Sequence, residues 1–238
     1  MPSLSVAPQT PLILALDTSS NRGSVALAQG AQILKALSFE GDHSHSQRLL
    51  PAIESVFEDA QRQIGEVDLF AVVIGPGSFT GLRVSLACVR GLAGTKPCFG
   101  ALAPDVAAWA GRGRGATLLA LTDLFHGEVF GGVYNDLGAL ITNHVSGALS
   151  SVIPALQDSI TIGAMAVGSA TVKHRADLES LCLGINFLDL PEGLAPHLAS
   201  LASARATEGA TCGASDLLPF YLRDPLTRGL LSPSPRRS

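Results

Sequence analysis

Charged residues are scarce in this 238-residue chain: they make up 15% of it, whereas hydrophobic residues make up 47%. This composition excludes disorder over most of the length, because segments that stay unfolded combine high net charge with few apolar residues. Aromatic residues are also few, at 5%, so we expect an aliphatic core. The length fits one large domain or two small lobes, and it permits a sizeable core without disulfides or metals.

Positive charge is not in excess, since the chain has 16 Lys and Arg residues and 20 Asp and Glu residues. A protein that binds nucleic acid by itself normally has a basic excess, because neutralised phosphates supply much of its affinity. We therefore expect any contact with nucleic acid to be shared with a partner.

Cysteine motifs, a secretion signal and long apolar runs are also missing. None of the four cysteines forms a C-x-x-C pair, which argues against a zinc knuckle or a thioredoxin-like motif. The apolar run before Asp17 is too short for a signal peptide and lacks a preceding Lys or Arg. No stretch of 18 uncharged apolar residues exists to span a membrane. We expect a cytoplasmic protein with reduced thiols.

The hydrophobic pattern repeats itself along the chain. Leu12–Asp17 is an apolar strand followed by a polar turn and two more strands, and then by an amphipathic helix at 49–64. The strand Leu69–Ile74, a glycine-rich loop, a helix at 80–93, a strand at 97–101 and a short helix with Trp109 follow. The same order restarts at Thr117–Asp123, so that Asp123 aligns with Asp17.

This repeat predicts an α/β fold of two β-β-β-α-β-α lobes. In the second copy we expect a third strand near 139–144 and a single helix at 172–181. The glycine-rich linker near 112–115 separates the copies. The predicted divisions are a disordered leader at 1–10, an N-terminal lobe at 11–111, a C-terminal lobe at 115–225 and a flexible tail at 226–238.

The first strand ends in Asp17-Thr18-Ser19, which is a candidate phosphate loop because hydroxyls and turn amides can bind anions. The alternative is an ordinary hairpin turn, where the same residue types are common. The matching turn, Asp123-Leu124-Phe125-His126, has bulky groups in place of hydroxyls. The sequence therefore argues against a working nucleotide clamp and favours at most a vestigial one.

The loop Gly75-Pro76-Gly77-Ser78-Phe79-Thr80-Gly81 lies between a buried strand and a helix, where backbone amides can hold an anion. It is neither a Walker loop nor a dinucleotide-binding loop. The alternative is a tight turn in which Ser78 or Thr80 caps the helix, and the sequence leaves both open.

The helix after this loop is apolar on two faces. Leu82, Leu86, Val89 and Ala93 form one face, and the small residues Val84, Ala87, Cys88 and Gly91 form the other. The small face either packs on the 49–64 helix or binds another subunit.

Two histidines, His43 and His45, lie beside Asp42 but point apart on a helix, so they are interpreted as surface residues and no metal site is expected. Asp123, His126 and Glu128 are weak acid–base candidates, because no nucleophile or paired carboxylate accompanies them.

Four motifs together resemble the TsaB (YeaZ) family of bacterial tRNA threonylcarbamoyladenosine biosynthesis. They are DTSS from Asp17, HSQRLLP from His45, GPGSFTGLR from Gly75 and PFYLR from Pro219. The resemblance covers about residues 12–223, and the second and third motifs are the specific ones.

The resemblance implies a two-lobed actin-like ATPase fold (ASKHA, ribonuclease H-like) and a non-catalytic subunit that activates the transferase TsaD and helps to recruit the ATPase TsaE. Contact with tRNA would be indirect, and a homodimer is possible. No cofactor is expected for the isolated chain, and ATP or ADP only in the complex. The resemblance implies a partner interface in the N-terminal lobe, formed by His45, Ser46, Leu49, Gly75, Gly77, Ser78, Phe79, Thr80, Gly81, Arg83, Val84, Ala87, Cys88 and Gly91.

Two departures weaken any nucleotide role. Leu124 and Phe125 replace a frequent Ala-Arg pair, and Ser169 stands where an Asp is frequent. The alternative function is a stand-alone ATP-dependent phosphotransferase or a glycoprotease-like peptidase of the same fold.

Overall fold

The computed structural model describes residues 10–40, 45–124 and 127–222. Most of the predicted leader, the tail and the residues Asp42, His43, Phe125 and His126 lie outside this part. Each half of the chain forms a five-stranded sheet with helices packed against it. Within the described ranges, no helix is long and apolar enough to cross a membrane.

The first lobe follows the predicted order closely. Its strands alternate with helices once the β1–β2–β3 meander is complete. The elements are β1 Leu12–Asp17, β2 Arg22–Gln29, β3 Gln32–Glu40, α1 His45–Ala60, β4 Leu69–Gly75, α2 Phe79–Ala93, β5 Cys98–Leu102 and α3 Ala103–Gly111.

The second lobe departs from the prediction in three places. The third strand lies at Val145–Ala148 rather than 139–144, the single predicted helix is split at His174, and a fifth strand appears. The elements are β6 Leu118–Asp123, β7 Glu128–Tyr134, β8 Val145–Ala148, α4 Leu149–Leu156, β9 Met165–Val167, α5 Ser169–Lys173, α6 Arg175–Leu181, β10 Asn186–Leu188 and α7 Ala195–Ala206.

The strand orders of the two sheets confirm the duplication. The first sheet runs β3-β2-β1-β4-β5 and the second runs β8-β7-β6-β9-β10. In each, the meander is antiparallel and the last two strands are parallel to the first. The repeating unit is thus β-β-β-α-β-α followed by a further strand and helix.

The last helix of each half packs beyond its own sheet. Ala107 and Ala108 of α3 join the core of the second sheet, while Leu198 and Ala202 of α7 join the core of the first. The predicted C-terminal lobe at 115–225 therefore needs correction, because α7 follows the second sheet in sequence but packs on the first. Between α3 and α7, the Trp109 indole nitrogen donates to the Ser200 hydroxyl at 3.2 Å.

Candidate functional site

The four sequence motifs meet at the carboxyl ends of β1 and β4. Ser20 of the first turn contacts His45, Thr18 and Ser19 contact the glycine-rich loop, and that loop contacts the Phe220–Tyr221 segment. We call this group of contacts the motif junction. It brings together residues separated by up to about 200 positions, so the motifs specify one local structure.

Glycines let the loop approach the first turn. A Cβ atom on Gly77 would lie 2.1 Å from the carbonyl oxygen of Ser19, and one on Gly81 would lie 1.9 Å from that of Thr18. Both distances are far inside van der Waals contact, and the groups that would be struck are backbone. The two positions therefore require glycine for packing.

Hydrogen bonds fix the turn and the loop together. The Ser78 amide donates to the Ser19 carbonyl at 2.7 Å, and the Thr18 hydroxyl donates to the Gly81 carbonyl at 2.7 Å. Ser78 also caps α2, because its hydroxyl accepts from the Gly81 amide at 3.2 Å. The geometry is that of the tight, capped turn, the second of the two predicted alternatives.

Asp17 is 1% exposed and lies at the base of the junction. One carboxylate oxygen accepts from the Ser19 amide at 2.9 Å. Burial raises the pKa of this carboxyl to about 6, and the hydrogen bonds to Ser19 offset only part of that effect. In the candidate phosphate loop, the Thr18 hydroxyl and the Ser19 amide are thus already engaged within the protein.

A cleft of about 570 Å³ separates the two lobes, with Asp17 on one wall and Asp123 on the other. Lys173 donates to both carboxylate oxygens of Asp123 at 3.3 Å, and the Asp123 amide donates to the Ser169 hydroxyl at 3.0 Å. Near the mouth, Arg22 pairs with Glu40 at 3.1 Å. These charged groups of the cleft satisfy one another.

An aromatic and cationic cluster covers the exposed side of the junction. The Arg83 guanidinium lies 3.9 Å above the Phe79 ring, and its Nε donates to the Tyr221 hydroxyl at 3.2 Å. The Phe220 amide donates to the Ile74 carbonyl at 2.7 Å. The C-terminal motif therefore holds the start of α2 from the outside.

His45 begins α1 and joins it to the first turn. Its Nε2 lies 3.0 Å from the Ser20 carbonyl, which can only accept, so this nitrogen carries the proton. Burial lowers the pKa of His45, and the hydrogen bond to Ser20 opposes that shift only in part. His45 is therefore a buried, neutral histidine and not the surface residue predicted from sequence.

The predicted interface residues divide by exposure. His45, Leu49, Gly75 and Gly81 are buried within the chain. The others lie at the surface of α1, α2 and the loop: Ser46, Phe79, Thr80, Arg83, Ala87 and Gly91 are exposed, and Gly77, Ser78, Val84 and Cys88 are half-buried.

The structure describes the acid–base and metal candidates only in part. Asp123 is paired with Lys173, while His126 lies outside the described residues. Within residues 10–40, 45–124 and 127–222, no group of three His, Cys, Asp or Glu side chains is arranged to hold a metal ion. Lys173 was missed by the sequence interpretation, because 50 residues separate it from Asp123 and no local motif signals the pair.

Comparison with known proteins identifies the family of this chain. The family model described as TsaD, tRNA N6-adenosine threonylcarbamoyltransferase, matches residues 40–176, which is more than half of the chain. The tRNA threonylcarbamoyladenosine biosynthesis protein TsaB of Haemophilus influenzae is 27% identical over 90% of this chain and 94% of its own length. The chain belongs to this family, in its TsaB (YeaZ) branch.

Solved structures agree with the family at the level of the whole fold. YeaZ from Pseudomonas aeruginosa is 26% identical, with a TM-score of 0.71 over 89% of this chain and 100% of its own. (R)-2-Hydroxyglutaryl-CoA dehydratase component A from Acidaminococcus fermentans is 12% identical, with a TM-score of 0.55 over 83% of this chain and 99% of its own. That second likeness concerns the fold alone. The predicted two-lobed, actin-like α/β fold is thereby confirmed.

Proposed function

We propose that this chain is the non-catalytic scaffold subunit of the complex that makes threonylcarbamoyladenosine at position 37 of tRNA. It docks on the transferase TsaD and helps to recruit the ATPase TsaE, while tRNA is contacted through the complex. The observation that carries the proposal is the motif junction, which fixes α1 and α2 side by side. Beside it lies the α2 stripe, the surface formed by Val84, Ala87, Cys88 and Gly91. The proposed location of this complex is the cytoplasm.

The stripe has the character of a helix-docking surface. Ala87 and Gly91 are exposed, and a Cβ atom on Gly91 would meet no atom within 4 Å. On the opposite side of α2, Leu82, Leu86 and Val89 are at most 3% exposed. Small residues allow the backbone of a partner helix to approach closely. The same stripe could pair two copies of this chain when TsaD is absent.

The interlobe cleft supports a subunit without chemistry of its own. The Thr18 hydroxyl and the Ser19 amide are engaged internally, and the Lys173 ammonium is paired with Asp123. A phosphate in this cleft would have to displace these contacts. On this ground we propose that the chain by itself needs no cofactor and that ATP or ADP belongs to the assembled complex.

Reconstitution tests the proposal directly. TsaC, TsaD, TsaE, ATP, threonine, bicarbonate and tRNA are incubated with and without this chain, and the modified nucleoside is quantified by mass spectrometry. We expect product only when the chain is present. A paired comparison of Ala87→Glu on α2 with Ala176→Glu on α6 localises the effect, because both positions are exposed helix residues. Only the first variant should reduce product.

Product formation without the chain would contradict the scaffold role. Hydrolysis of Mg-ATP by the isolated chain would also contradict it, and would favour the phosphotransferase alternative. Equal loss of product in both variants would show that the α2 stripe has no special role.

A further inference from the structure

Cys98 and Cys212 lie directly opposite each other, although 114 positions separate them. The Cys98 amide donates to the Cys212 carbonyl at 2.9 Å, and the Cys212 amide donates to the Cys98 carbonyl at 2.9 Å. They thus form an isolated antiparallel bridge between β5 and the segment after α7. Both are free thiols. Residues that exchange both backbone hydrogen bonds have Cα atoms about 5.5 Å apart and side chains on the same face.

This separation is within reach of a disulfide, for which Cα atoms are usually about 4.4–6.8 Å apart. We propose that Cys98 and Cys212 are a thiol-modification site that forms an intramolecular disulfide by exchange with a small disulfide such as oxidised glutathione. The inference is independent of the proposed function, since it concerns only the described contacts of these two residues.

The exposure of the two thiols sets the order of the steps. Cys98 is fully buried, whereas Cys212 is partly exposed. The Cys212 thiolate attacks one sulfur of oxidised glutathione, forms a mixed disulfide and releases one glutathione. The Cys98 thiol then loses its proton, and its sulfur attacks Sγ of Cys212 and expels the second glutathione. In total, the two protein thiols lose two hydrogens and two electrons to oxidised glutathione, which leaves as two molecules of reduced glutathione.

The surroundings make the reaction slow at neutral pH and the product easy to reduce. Burial, and secondarily the nearby Cys212, raises the pKa of Cys98 to about 11, and the thiolate is the attacking species. In hydrogen-bonded pairs the Cβ atoms lie farther apart than in non-hydrogen-bonded pairs, so the bond is strained and labile. The exchange should accelerate between pH 7 and pH 9.

The bond would fasten the C-terminal segment to β5. Leu217 of that segment is buried in the core of the first sheet, and its carbonyl accepts from Arg90 of α2. Phe220 continues the segment to the motif junction. Oxidation would therefore restrain the C-terminal segment that holds the start of α2.

Peptide mapping tests the site, because trypsin places the four cysteines in four different peptides. The folded full chain is incubated with oxidised glutathione at pH 8, alkylated, and digested. Before alkylation, we expect the intact mass to fall by about 2 Da, the two hydrogens lost per disulfide. A linked species should join peptides 91–112 and 206–223 and disappear on reduction with dithiothreitol.

Matched variants separate the pair from its neighbours. Cys88 also packs against the core that contains Cys98, so Cys88→Ala is the control and should retain the link, whereas Cys212→Ser and Cys212→Ala should abolish it. A higher melting temperature of oxidised than of reduced Cys88→Ala protein is expected. Three results would overturn the proposal: a lasting glutathione adduct on Cys212 without a link, a link between Cys88 and Cys98, or four unreacted thiols.

Discussion

The two lobes share one strand order but differ where the fourth strand meets the next helix. In the first lobe, β4 leads through the glycine-rich loop into α2, a continuous helix of 15 residues capped by Ser78. In the second, β9 leads through Gly168 into α5, which has five residues and is followed after His174 by α6. Only the first copy of the duplicated fold has a long, well-anchored helix after its fourth strand, and this copy carries three of the four family motifs.

The difference extends to the two aspartates. Asp17 is buried and bonded to its own turn, and the loop before α2 closes over that turn. Asp123 forms an ion pair with Lys173, whose side chain is 50% exposed. The first aspartate is thus held by buried hydrogen bonds, whereas the second is held by an ion pair with a partly exposed lysine. The predictions below test this contrast.

The largest effect is expected for Gly81→Ala. Its Cβ would lie 1.9 Å from the Thr18 carbonyl oxygen, so the loop and the turn must separate. We expect a loss of about 3–5 kcal/mol in the free energy of unfolding. Gly91→Ala on the same helix is the control and should gain up to about 1 kcal/mol from helix propensity. Urea denaturation measures both, and a tolerated Gly81→Ala would show that the turn does not depend on close approach.

Asp17→Asn is expected to stabilise the protein at pH 7.5. The pKa of Asp17 is raised from 3.8 to about 6. The protonated carboxyl therefore favours the folded state below pH 3.8, and this contribution to the free energy of unfolding is lost as the pH rises through about 6. Removing the charge should raise the free energy of unfolding by about 3 kcal/mol at pH 7.5. Chemical denaturation at pH 7.5 and at pH 4 measures this gain in the free energy of unfolding, which should nearly vanish at pH 4. An equal effect at the two pH values would contradict the assignment.

Thr18→Val should cost about 1–2 kcal/mol, because the buried Gly81 carbonyl loses the hydroxyl that donates to it at 2.7 Å. The valine keeps the shape of the side chain, so packing changes little. Thermal and urea unfolding provide the measurement. A neutral result would mean that the junction rests on its backbone contacts alone.

Lys173→Met should have the smallest effect. The Lys173 side chain is 50% exposed in the pair that this change removes, and ion pairs with a solvent-exposed partner contribute less than about 1 kcal/mol. The same unfolding assay checks this value. A loss larger than that of Thr18→Val would reverse the contrast between the lobes.

The sequence was sufficient for the duplication and for most of the first lobe, since strands such as Leu69–Gly75 are uniformly apolar and α2 has a clear buried face. It was insufficient where a few residues decide. The strand Asn186–Leu188 has three residues and little local signal, and His174 splits a helical pattern in two. The placement of α7 on the first sheet depends on long-range packing.

The candidate site shows the same division. Cap residues and glycines could be proposed from the loop sequence, and Ser78 does cap α2. The burial of Leu49 was also predictable, because it lies on the apolar face of the predicted helix at 49–64. The burial of His45 was not, because its partner Ser20 is 25 positions away in sequence. The pairing of Lys173 with Asp123 likewise depends on the packing of α5 on β6, which lie 50 positions apart in sequence.

The most direct test of the account is the affinity of TsaD for Gly91→Leu, measured by isothermal titration beside Ala176→Leu on α6. Both variants place a leucine at an exposed helical position. We expect affinity for TsaD to fall at least about tenfold for Gly91→Leu, an unchanged affinity for Ala176→Leu, and no fall in melting temperature for either variant, since leucine is a better helix former than glycine. Normal binding by Gly91→Leu, or a collapse of its melting temperature, would contradict the claim that the exposed α2 stripe is a docking surface.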